Sequence, residues 1–413
     1  MFPSKTLLAL LTLTSPIQGI HLDVKDPASI RTAASAIAHG LLAYYKNNAT
    51  DTPAGNVGLL PYPPYYWWQS GAMWAGLIDY HSYTKDATYV DSTVQALLAQ
   101  RGPKDDFIVP AHRGDEGNDD QSMWALGLIS AIENNFPSPP PDKPQWLGML
   151  VALFEDQASR WDMASCAGGL KWQIYPENAY GYNYKNSISN GAFFQIAARL
   201  ALYTGEQKYI DWATKVWDWS WNIGLISPTY DVFDGSDDRK NCTSLDHTQW
   251  SYNVAVYLQG AAAMWNTTRQ PIWRERTLGL VNASDVFFSP FSNVTGIMFE
   301  AACETSNRCN TDQFSFKAYL SRWLAKTMIL APFTAKTIRP LLEASAMAAA
   351  KSCSVGPDGV ACGTKWWVGG YDGKTGVGQQ MSALEVIQSL LIEDADRWQL
   401  VRGMLKSLQL MKK

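Results

Sequence analysis

The stretch LIDYHSYTKDATY at residues 77–89 is echoed by ARLALYTGEQKY at residues 198–209. In both copies an apolar segment with three- and four-residue spacing runs into a short polar turn, and Gly205 lies where a helix C-cap is expected. An internal repeat of this kind is typical of folds that stack one unit, here a helix, a turn and a second helix. The repeat therefore predicts an all-α fold.

Six segments open with polar or aromatic residues and continue as apolar stretches, and their starts recur roughly every fifty to seventy residues. They cover 67–80, 118–132, 186–203, 247–265, 314–329 and 378–392. Amphipathic segments, typical of helices with one face in water, lie between them at 88–100, 146–162, 207–221 and 338–352. The pattern predicts an (α/α)6 barrel of six inner and six outer helices. An open superhelical stack of helix pairs is the alternative, because it has the same local pattern without closure.

The composition is that of a compact protein. The chain of 413 residues is 46% hydrophobic and 17% charged, which is enough apolar material for a large core. No stretch is long or polar enough to link two domains, so residues 20–413 are predicted to form a single (α/α)6 domain. The net charge of -4 leaves no basic excess for a phosphate backbone and argues against nucleic acid as a partner.

Residues 1–19 have the pattern of a secretory signal peptide. Lys5 precedes an apolar run at residues 7–13, and the small residue Gly19 suits a cleavage point. The run is too short to span a bilayer, and a buried N-terminal strand or helix is the alternative interpretation. We therefore expect a secreted protein.

Six cysteines in a secreted chain favour disulfides over a metal site or thiol catalysis. Cys303 and Cys309 enclose a short loop, as do Cys353 and Cys362, so two local bridges are the simplest arrangement. Cys166 is then left to pair with Cys242, although the sequence alone permits fifteen connectivities. Asn-x-Ser/Thr sequons, which predict a glycosylated surface, occur at Asn48, Asn241, Asn266, Asn282 and Asn293.

The adjacent acids Asp119 and Asp120 open the second inner segment. Glycoside hydrolysis uses one carboxylate as nucleophile or base and one carboxylic acid as proton donor. A helix start favours an ionised carboxylate, and a neighbouring negative charge raises the pKa of the second acid. The alternative is a helix N-cap with a charged first turn and no catalytic role.

Aromatic and polar residues are interleaved near the predicted inner helix starts. Flat rings stack on the C–H faces of sugars, while amide and carboxylate groups bond hydroxyls; packing between helices is the alternative role of the rings. The five histidines are dispersed, so neither a metal site nor a cofactor is expected. The acids of residues 234–238 are interpreted as a solvated loop rather than a Ca²⁺ site.

Five ordered motifs resemble glycoside hydrolase family 76, the endo-α-1,6-mannanase family, and within it the fungal cell-wall branch of GPI-anchored mannosidase-like proteins. They are WWQSG at 67–71 with LIDY at 77–80, DDQSMWAL at 119–126, NSISNGAFF at 186–194 with AARL at 197–200, WSYN at 250–253 and FKAYLSR at 316–322. The resemblance spans roughly residues 25–400. It implies an (α/α)6 barrel and a retaining mechanism, with Asp119 as nucleophile and Asp120 as acid/base.

The motif positions at the helix starts supply the candidates for sugar binding. These are Trp67, Trp68, Gln69, Asn118, Asn186, Asn190, His247, Trp250, Tyr252 and Lys317. The branch is implicated in attaching GPI proteins to wall glucan. The resemblance therefore implies an α-mannose-containing donor, either mannan or the GPI core, and a β-glucan acceptor, at the cell wall or the outer face of the plasma membrane.

The chain departs from that branch at its end. Members usually finish in a GPI signal, whereas KSLQLMKK at 406–413 has neither a small-residue cleavage site nor a long apolar tail. Either the anchor signal is missing from this chain or this member is not anchored, and a lipid anchor is the one membrane contact expected. A transglycosylase acting on the GPI mannose core is the favoured function. A hydrolytic endo-α-1,6-mannanase and a catalytically silent glycan-binding wall protein are the alternatives.

Overall fold

The computed structural model describes residues 19–356 and 358–393, so the predicted signal peptide, apart from Gly19, lies outside the described residues. Within them, twelve long helices alternate between outer and inner positions. The outer helices are α1 Pro27–Leu42, α3 Val90–Ala99, α5 Trp146–Ser159, α8 Gln207–Asn222, α10 Pro271–Ala283 and α12 Ala335–Ser352. The inner helices are α2 Trp67–Thr84, α4 Asn118–Glu133, α7 Ser187–Thr204, α9 Ser251–Thr268, α11 Phe316–Leu330 and α13 Val377–Gln388. A short helix, α6 Ala179–Tyr182, lies in the connection between α5 and α7.

The inner helices form a closed ring. Contacts run from α2 to α4, α7, α9, α11 and α13 in turn, and α13 returns to α2. The outer helices α3, α5, α8, α10 and α12 each pack on the inner helix that precedes them, and α1 packs on α13. The return contact between α13 and α2 excludes the open stack of helix pairs, and the predicted (α/α)6 barrel is confirmed.

Inner and outer helices differ in how much of their surface meets water. Every residue of α13 is buried, whereas α8 buries one stripe at three- and four-residue spacing that includes Tyr209, Ala213, Val216 and Trp217. A glycine lets helices α2 and α4 pack closely against each other. A Cβ on Gly71 of α2 would lie 2.7 Å from the Trp124 indole of α4, so the absence of a side chain there sets the spacing of the two helices.

The repeated segments end as the sequence predicts. Helix α7 stops at Gly205, which has a left-handed backbone with φ of 73°. Helix α2 stops at Lys85 with φ of 67°, the equivalent position of the repeat, so a lysine adopts the conformation that glycine adopts at lower cost.

A network of buried charges crosses the barrel beyond the first turns of the inner helices. Arg322 of α11 places Nη2 2.5 Å from Oε1 of Glu385 on α13, and Lys326 places Nζ 3.0 Å from Oδ1 of Asp79 on α2. These side chains are at most 8% exposed. They tie three inner helices together across the point where the ring closes.

Disulfide bonds and β-strand pairing hold the loops at the starts of the inner helices. The disulfides join Cys166 to Cys242, Cys303 to Cys309 and Cys353 to Cys362, the three pairs that the sequence analysis expects. Strands β1 Tyr184–Asn186, β2 Gly235–Asp237 and β3 Leu245–Asp246 form an antiparallel sheet in that order. The sheet joins the loop before α7 to the loop before α9.

The predicted sequons differ in accessibility. Asn48, Asn241, Asn282 and Asn293 are exposed. Asn266 is half-buried and its Nδ2 donates a hydrogen bond of 3.0 Å to the Leu330 carbonyl, so this nitrogen is poorly placed to accept a glycan. Glycosylation at the other four stays a prediction. Among the described residues, no helix has both the length and the apolar character needed to cross a bilayer.

Candidate active site

The starts of the inner helices surround a cavity of about 510 Å³. Its walls combine aromatic rings with carboxylates and amides, as expected for a sugar site. Seven of the twelve predicted catalytic and sugar-binding residues line it: Asp119, Asp120, Trp67, Trp68, Asn186, Trp250 and Tyr252. The convergence of helix starts expected from the repeat therefore brings both acids and four of the predicted aromatic residues together.

The acid pair is held by a short backbone pairing in front of α4. Gly117 forms an antiparallel bridge with Gln173, and the Asn118 amide donates a 2.9 Å hydrogen bond to the Trp172 carbonyl. The Gly117 amide donates a 2.6 Å hydrogen bond to Oδ2 of Asp120. The N-cap residue of α4 is thus Gly117 and not one of the acids, while Asp120, at the third helical position, accepts from its amide and also lines the cavity.

Gly117 has no side chain where both carboxylates need space. A Cβ built there would lie 2.9 Å from Oδ2 of Asp120 and 3.0 Å from the Trp172 carbonyl, and it would overlap Oδ1 of Asp119. The backbone conformation, with φ of -101°, is open to any residue. Glycine is therefore required at position 117 because a side chain would not fit there, and not because the backbone conformation demands it.

The two acids hold their protons differently. Burial raises the pKa of Asp119 to about 7, although hydrogen bonds from backbone amides and from the Trp172 side chain stabilise its ionised form. Burial and then the charge of Asp119 raise the pKa of Asp120 well above its usual range, against one opposing hydrogen bond from Gly117. Asp120 is therefore the acid that holds its proton more tightly, and Asp119 is the acid that ionises first as pH rises.

The aromatic residues of the wall are themselves packed in place. Trp67 is 5% exposed, stacks against His112 and donates its indole N–H to Gln100 at 3.0 Å. Tyr252 stacks on Phe316 with ring centroids 3.8 Å apart. Packing therefore holds both rings in one orientation before a ligand binds.

Five predicted sugar-binding residues do not line the cavity, and for these the sequence analysis is wrong about position. Asn118 and Asn190 are buried and hold the segment that leads to Trp172. Asn118 donates to the Lys171 carbonyl at 2.8 Å, while Asn190 exchanges hydrogen bonds of 2.8 and 3.0 Å with the Leu170 backbone. Both amides fix the cavity wall from behind.

Gln69 and Lys317 brace a second loop in the same way. Gln69 accepts from the Tyr66 amide at 2.9 Å and donates to the Thr311 carbonyl at 3.1 Å. Lys317 is buried and places Nζ 2.6 Å from Oε1 of Glu304. These buried partners occupy the polar groups that the sequence analysis assigned to sugar.

His247 is the fifth residue. It is exposed, precedes α9, which begins at Ser251, and packs edge-on against Phe233 with centroids 4.4 Å apart. The predicted inner segment began at residue 247, four residues too early, and this error placed the histidine at a helix start.

Several cavity residues were missed because they lie in loops. Asp234, expected in a solvated loop, instead lines the cavity and accepts a 2.9 Å hydrogen bond from the Tyr184 hydroxyl. Asp238 of the same acidic stretch is buried and pairs with Lys171, which corrects that interpretation. Asp312 lies shortly before α11. Its position next to the start of an inner helix is the one sequence feature that could have identified it as a cavity residue. Other residues that line the cavity lie in the connections between the long helices or, for Phe316, at the start of α11; they are Tyr66, Trp172, Gln173, Tyr180, Tyr184, Asn310, Gln313 and Phe316.

Comparisons with known proteins identify the family. Residues 29–400 match the family described as Glycosyl hydrolase family 76. The chain is 46% identical over 384 residues to mannan endo-1,6-alpha-mannosidase DCW1 of Candida glabrata, which covers 92% of this chain and 84% of the relative. It is 45% identical over 383 residues to DCW1 of Saccharomyces cerevisiae, covering 92% and 83%.

Solved structures share the barrel. Dfg5 from Chaetomium thermophilum, in complex with glucosamine, superposes with a TM-score of 0.85 at 40% identity and covers 90% of this chain and 92% of that chain. An α-1,6-mannanase of Salegentibacter shares the fold with a TM-score of 0.69 at 16% identity, covering 88% and 99%. With the family match over most of its length, this chain belongs to glycosyl hydrolase family 76 and is an enzyme of the glycosidase class.

Proposed function

We propose that the protein is a retaining, α-mannoside-active transglycosylase. In this proposal it cuts the mannose core of a GPI glycan and joins it to wall β-glucan, at the cell wall or the outer face of the plasma membrane. The observation that carries the proposal is the pair of neighbouring acids with different proton affinities in one aromatic-walled cavity. The names of the relatives support an α-1,6-mannoside donor, and the glucosamine bound by the similar Dfg5 supports a glycan that contains an amino sugar.

The first step uses both acids. An ionised Asp119 oxygen attacks the anomeric carbon and forms a bond to it, while the bond from that carbon to the leaving oxygen breaks. Asp120 gives its proton to the leaving oxygen. The products are a mannosyl-enzyme and an alcohol, and Asp120 is left ionised.

The second step decides between transfer and hydrolysis. An acceptor hydroxyl loses its proton to Asp120, bonds to the anomeric carbon and releases Asp119, which restores both acids. With a glucan hydroxyl as acceptor the enzyme is a transglycosylase. An aromatic wall favours this outcome, because a stacked sugar displaces the water that would otherwise react.

Hydrolysis is the second candidate. If a water molecule takes the place of the acceptor, the enzyme is an endo-α-1,6-mannanase, which is the activity for which the relatives are named. A silent glycan-binding protein is disfavoured because both acids are present in the cavity.

Product analysis separates these candidates. The protein would be incubated with an α-1,6-mannoside or GPI-glycan fragment, with and without a β-glucan oligosaccharide, and the products weighed by mass spectrometry. We expect a mixed oligosaccharide that appears only with both sugars and is absent with Asp119→Asn. Free mannosides alone would refute transfer in favour of hydrolysis, and binding without any product would refute catalysis.

A further inference from the structure

An aromatic pair lies on the protein surface beside the predicted glycosylation site Asn293. Phe291 is 45% exposed and packs edge-on against Trp367, with ring centroids 5.1 Å apart. Val368, the next residue after Trp367, is 46% exposed. Single exposed apolar side chains are common on proteins, so the patch by itself indicates no ligand. The sequon beside it is the second, independent observation.

Phe291 and Asn293 belong to the same turn. A hairpin spans residues 287–299, and a bridge between Phe291 and Val294 closes its tip. The Val294 amide donates a 2.9 Å hydrogen bond to the Phe291 carbonyl, which places Asn293 at the third position of a β-turn. Two residues of chain span at most about 7 Å, so a sugar on Asn293 starts within reach of the Phe291 ring.

The sequon itself is open to modification. Asn293 and Thr295 are exposed, and the residue between them is valine and not proline. N-glycosylation forms a bond from Nδ2 of Asn293 to the anomeric carbon of N-acetylglucosamine. The bond from that carbon to the diphosphate of an activated oligosaccharide donor breaks. The diphosphate leaves with the electron pair, and Nδ2 gives up one proton.

The other four sequons lack an aromatic residue at the equivalent position. Two residues before Asn48, Asn241, Asn266 and Asn282 the chain has Lys46, Arg239, Met264 and Leu280. An aromatic face is a good contact for the C–H groups of a sugar ring. We propose that Asn293 carries an N-linked glycan whose first N-acetylglucosamine packs on Phe291, covers the aromatic pair and stabilises the hairpin.

The hairpin leads directly to the cavity wall. It ends at Phe299, and the next residue, Glu300, accepts hydrogen bonds from the Ser251 amide at 3.0 Å and the Ser251 hydroxyl at 2.5 Å. Ser251 begins α9 and lies between Trp250 and Tyr252, which line the cavity. A glycan that stabilises the hairpin therefore also helps to hold this part of the wall.

The inference does not depend on the proposed function, because no measurement uses activity; it rests on the expectation of a secreted chain. The full chain would be produced through the secretory pathway of a fungal host. Mass spectrometry of the peptide that contains Asn293 is expected to show attached carbohydrate. Hydrogen exchange of the amides at residues 287–299 then measures opening of the hairpin. Asn293→Gln should raise these exchange rates roughly 2- to 10-fold, the range for one aromatic contact.

Two comparisons separate stacking from other effects of the glycan. Trimming the glycan to its first N-acetylglucosamine should keep the protection, because that sugar makes the contact. Phe291→Leu keeps an apolar side chain without a flat face, so removing the glycan from this variant should change exchange by less than about 2-fold. Asn48→Gln, at an exposed sequon preceded by Lys46, should leave exchange of the hairpin unchanged.

Four results would overturn the inference. The first two are an unmodified Asn293 and equal exchange of the hairpin with and without the glycan. The third is loss of protection on trimming to one sugar, which would assign the effect to the outer sugars. The fourth is an equal effect of glycan removal in Phe291→Leu and in the wild type. Exchange of α4 in the same samples verifies that each variant folds.

Discussion

Replacing Gly117 with alanine tests whether the acid pair needs an empty site beside it. A Cβ at this position would overlap Oδ1 of Asp119 by more than half an ångström relative to the 3.0 Å that real Cβ contacts respect. It would also press on Oδ2 of Asp120 and on the Trp172 carbonyl, so the pair cannot move as a unit. A misplacement of about 1 Å costs roughly 100-fold in rate. We therefore expect kcat/KM on an α-1,6-mannoside to fall roughly 10- to 100-fold, or about 1.4 to 2.7 kcal/mol of transition-state stabilisation.

Gly114 provides the matched control. It also lines the cavity, yet a Cβ there would meet nothing within 4 Å. Gly114→Ala should keep activity within about two-fold and unfold at or slightly above the wild-type temperature, because alanine restricts the unfolded chain. Gly117→Ala should unfold at a lower temperature, because its Cβ overfills a packed site. Activity of Gly117→Ala equal to that of Gly114→Ala would refute the steric argument.

Three further predictions follow from buried charges. Asp119→Asn and Asp120→Asn should each abolish turnover with little change in the free energy of unfolding, and wild-type rates in either variant would refute the assignment. The kcat/KM of the wild type should rise with pH through about 7, because Asp119 ionises in this range. Burial raises the pKa of Glu116 to about 8, so the folded state holds a proton that the unfolded state releases above its ordinary pKa near 4.5. The free energy of unfolding in urea should therefore fall as pH rises from 5 to 8, and Glu116→Gln should remove part of this fall; an unchanged slope would contradict the argument. Glu385→Ala removes the nearer of the two carboxylates that, among the described residues, face the buried Arg322 and leaves only Asp79, 3.6 Å away, so it should cost about 3 kcal/mol in the same assay, the lower end for breaking a buried pair. Glu343→Ala, which breaks the exposed pair with Lys25, should cost less than about 1 kcal/mol, and equal costs would contradict the distinction.

The inner helices were predictable because they are buried on nearly all sides. Their apolar stretches are long, and polar or aromatic residues mark where they begin, as at Trp67 and Asn118. Two outer helices were missed. Helix α10 begins at Pro271 and buries only Trp273, Thr277, Leu280 and Val281, so its apolar stripe is short and broken by charged residues. Helix α1 begins at Pro27 directly after its N-cap residue Asp26, a start signal that the sequence analysis did not use.

The acid pair was predictable, but the rest of the site was only partly so. Adjacent positions of a first turn differ by about 100° in direction, so a sequence does not say which of them faces the centre. Asn186 faces the cavity, while Asn190, one turn further, bonds the loop behind it. Asp234 and Asp312 come from loops, where no periodicity relates sequence position to direction.

The contact of α13 with α2 and α1 has a consequence for how the chain acquires its structure. Helices α1 and α2 cannot make these contacts until α13, which begins about three hundred residues later in the chain, has been synthesised. Until α13 arrives, α1 and α2 leave apolar surface uncovered, and such surface invites association with other chains. We therefore expect closure of the ring to be a late step of folding, and a chaperone that shields the early helices should raise the yield of soluble enzyme.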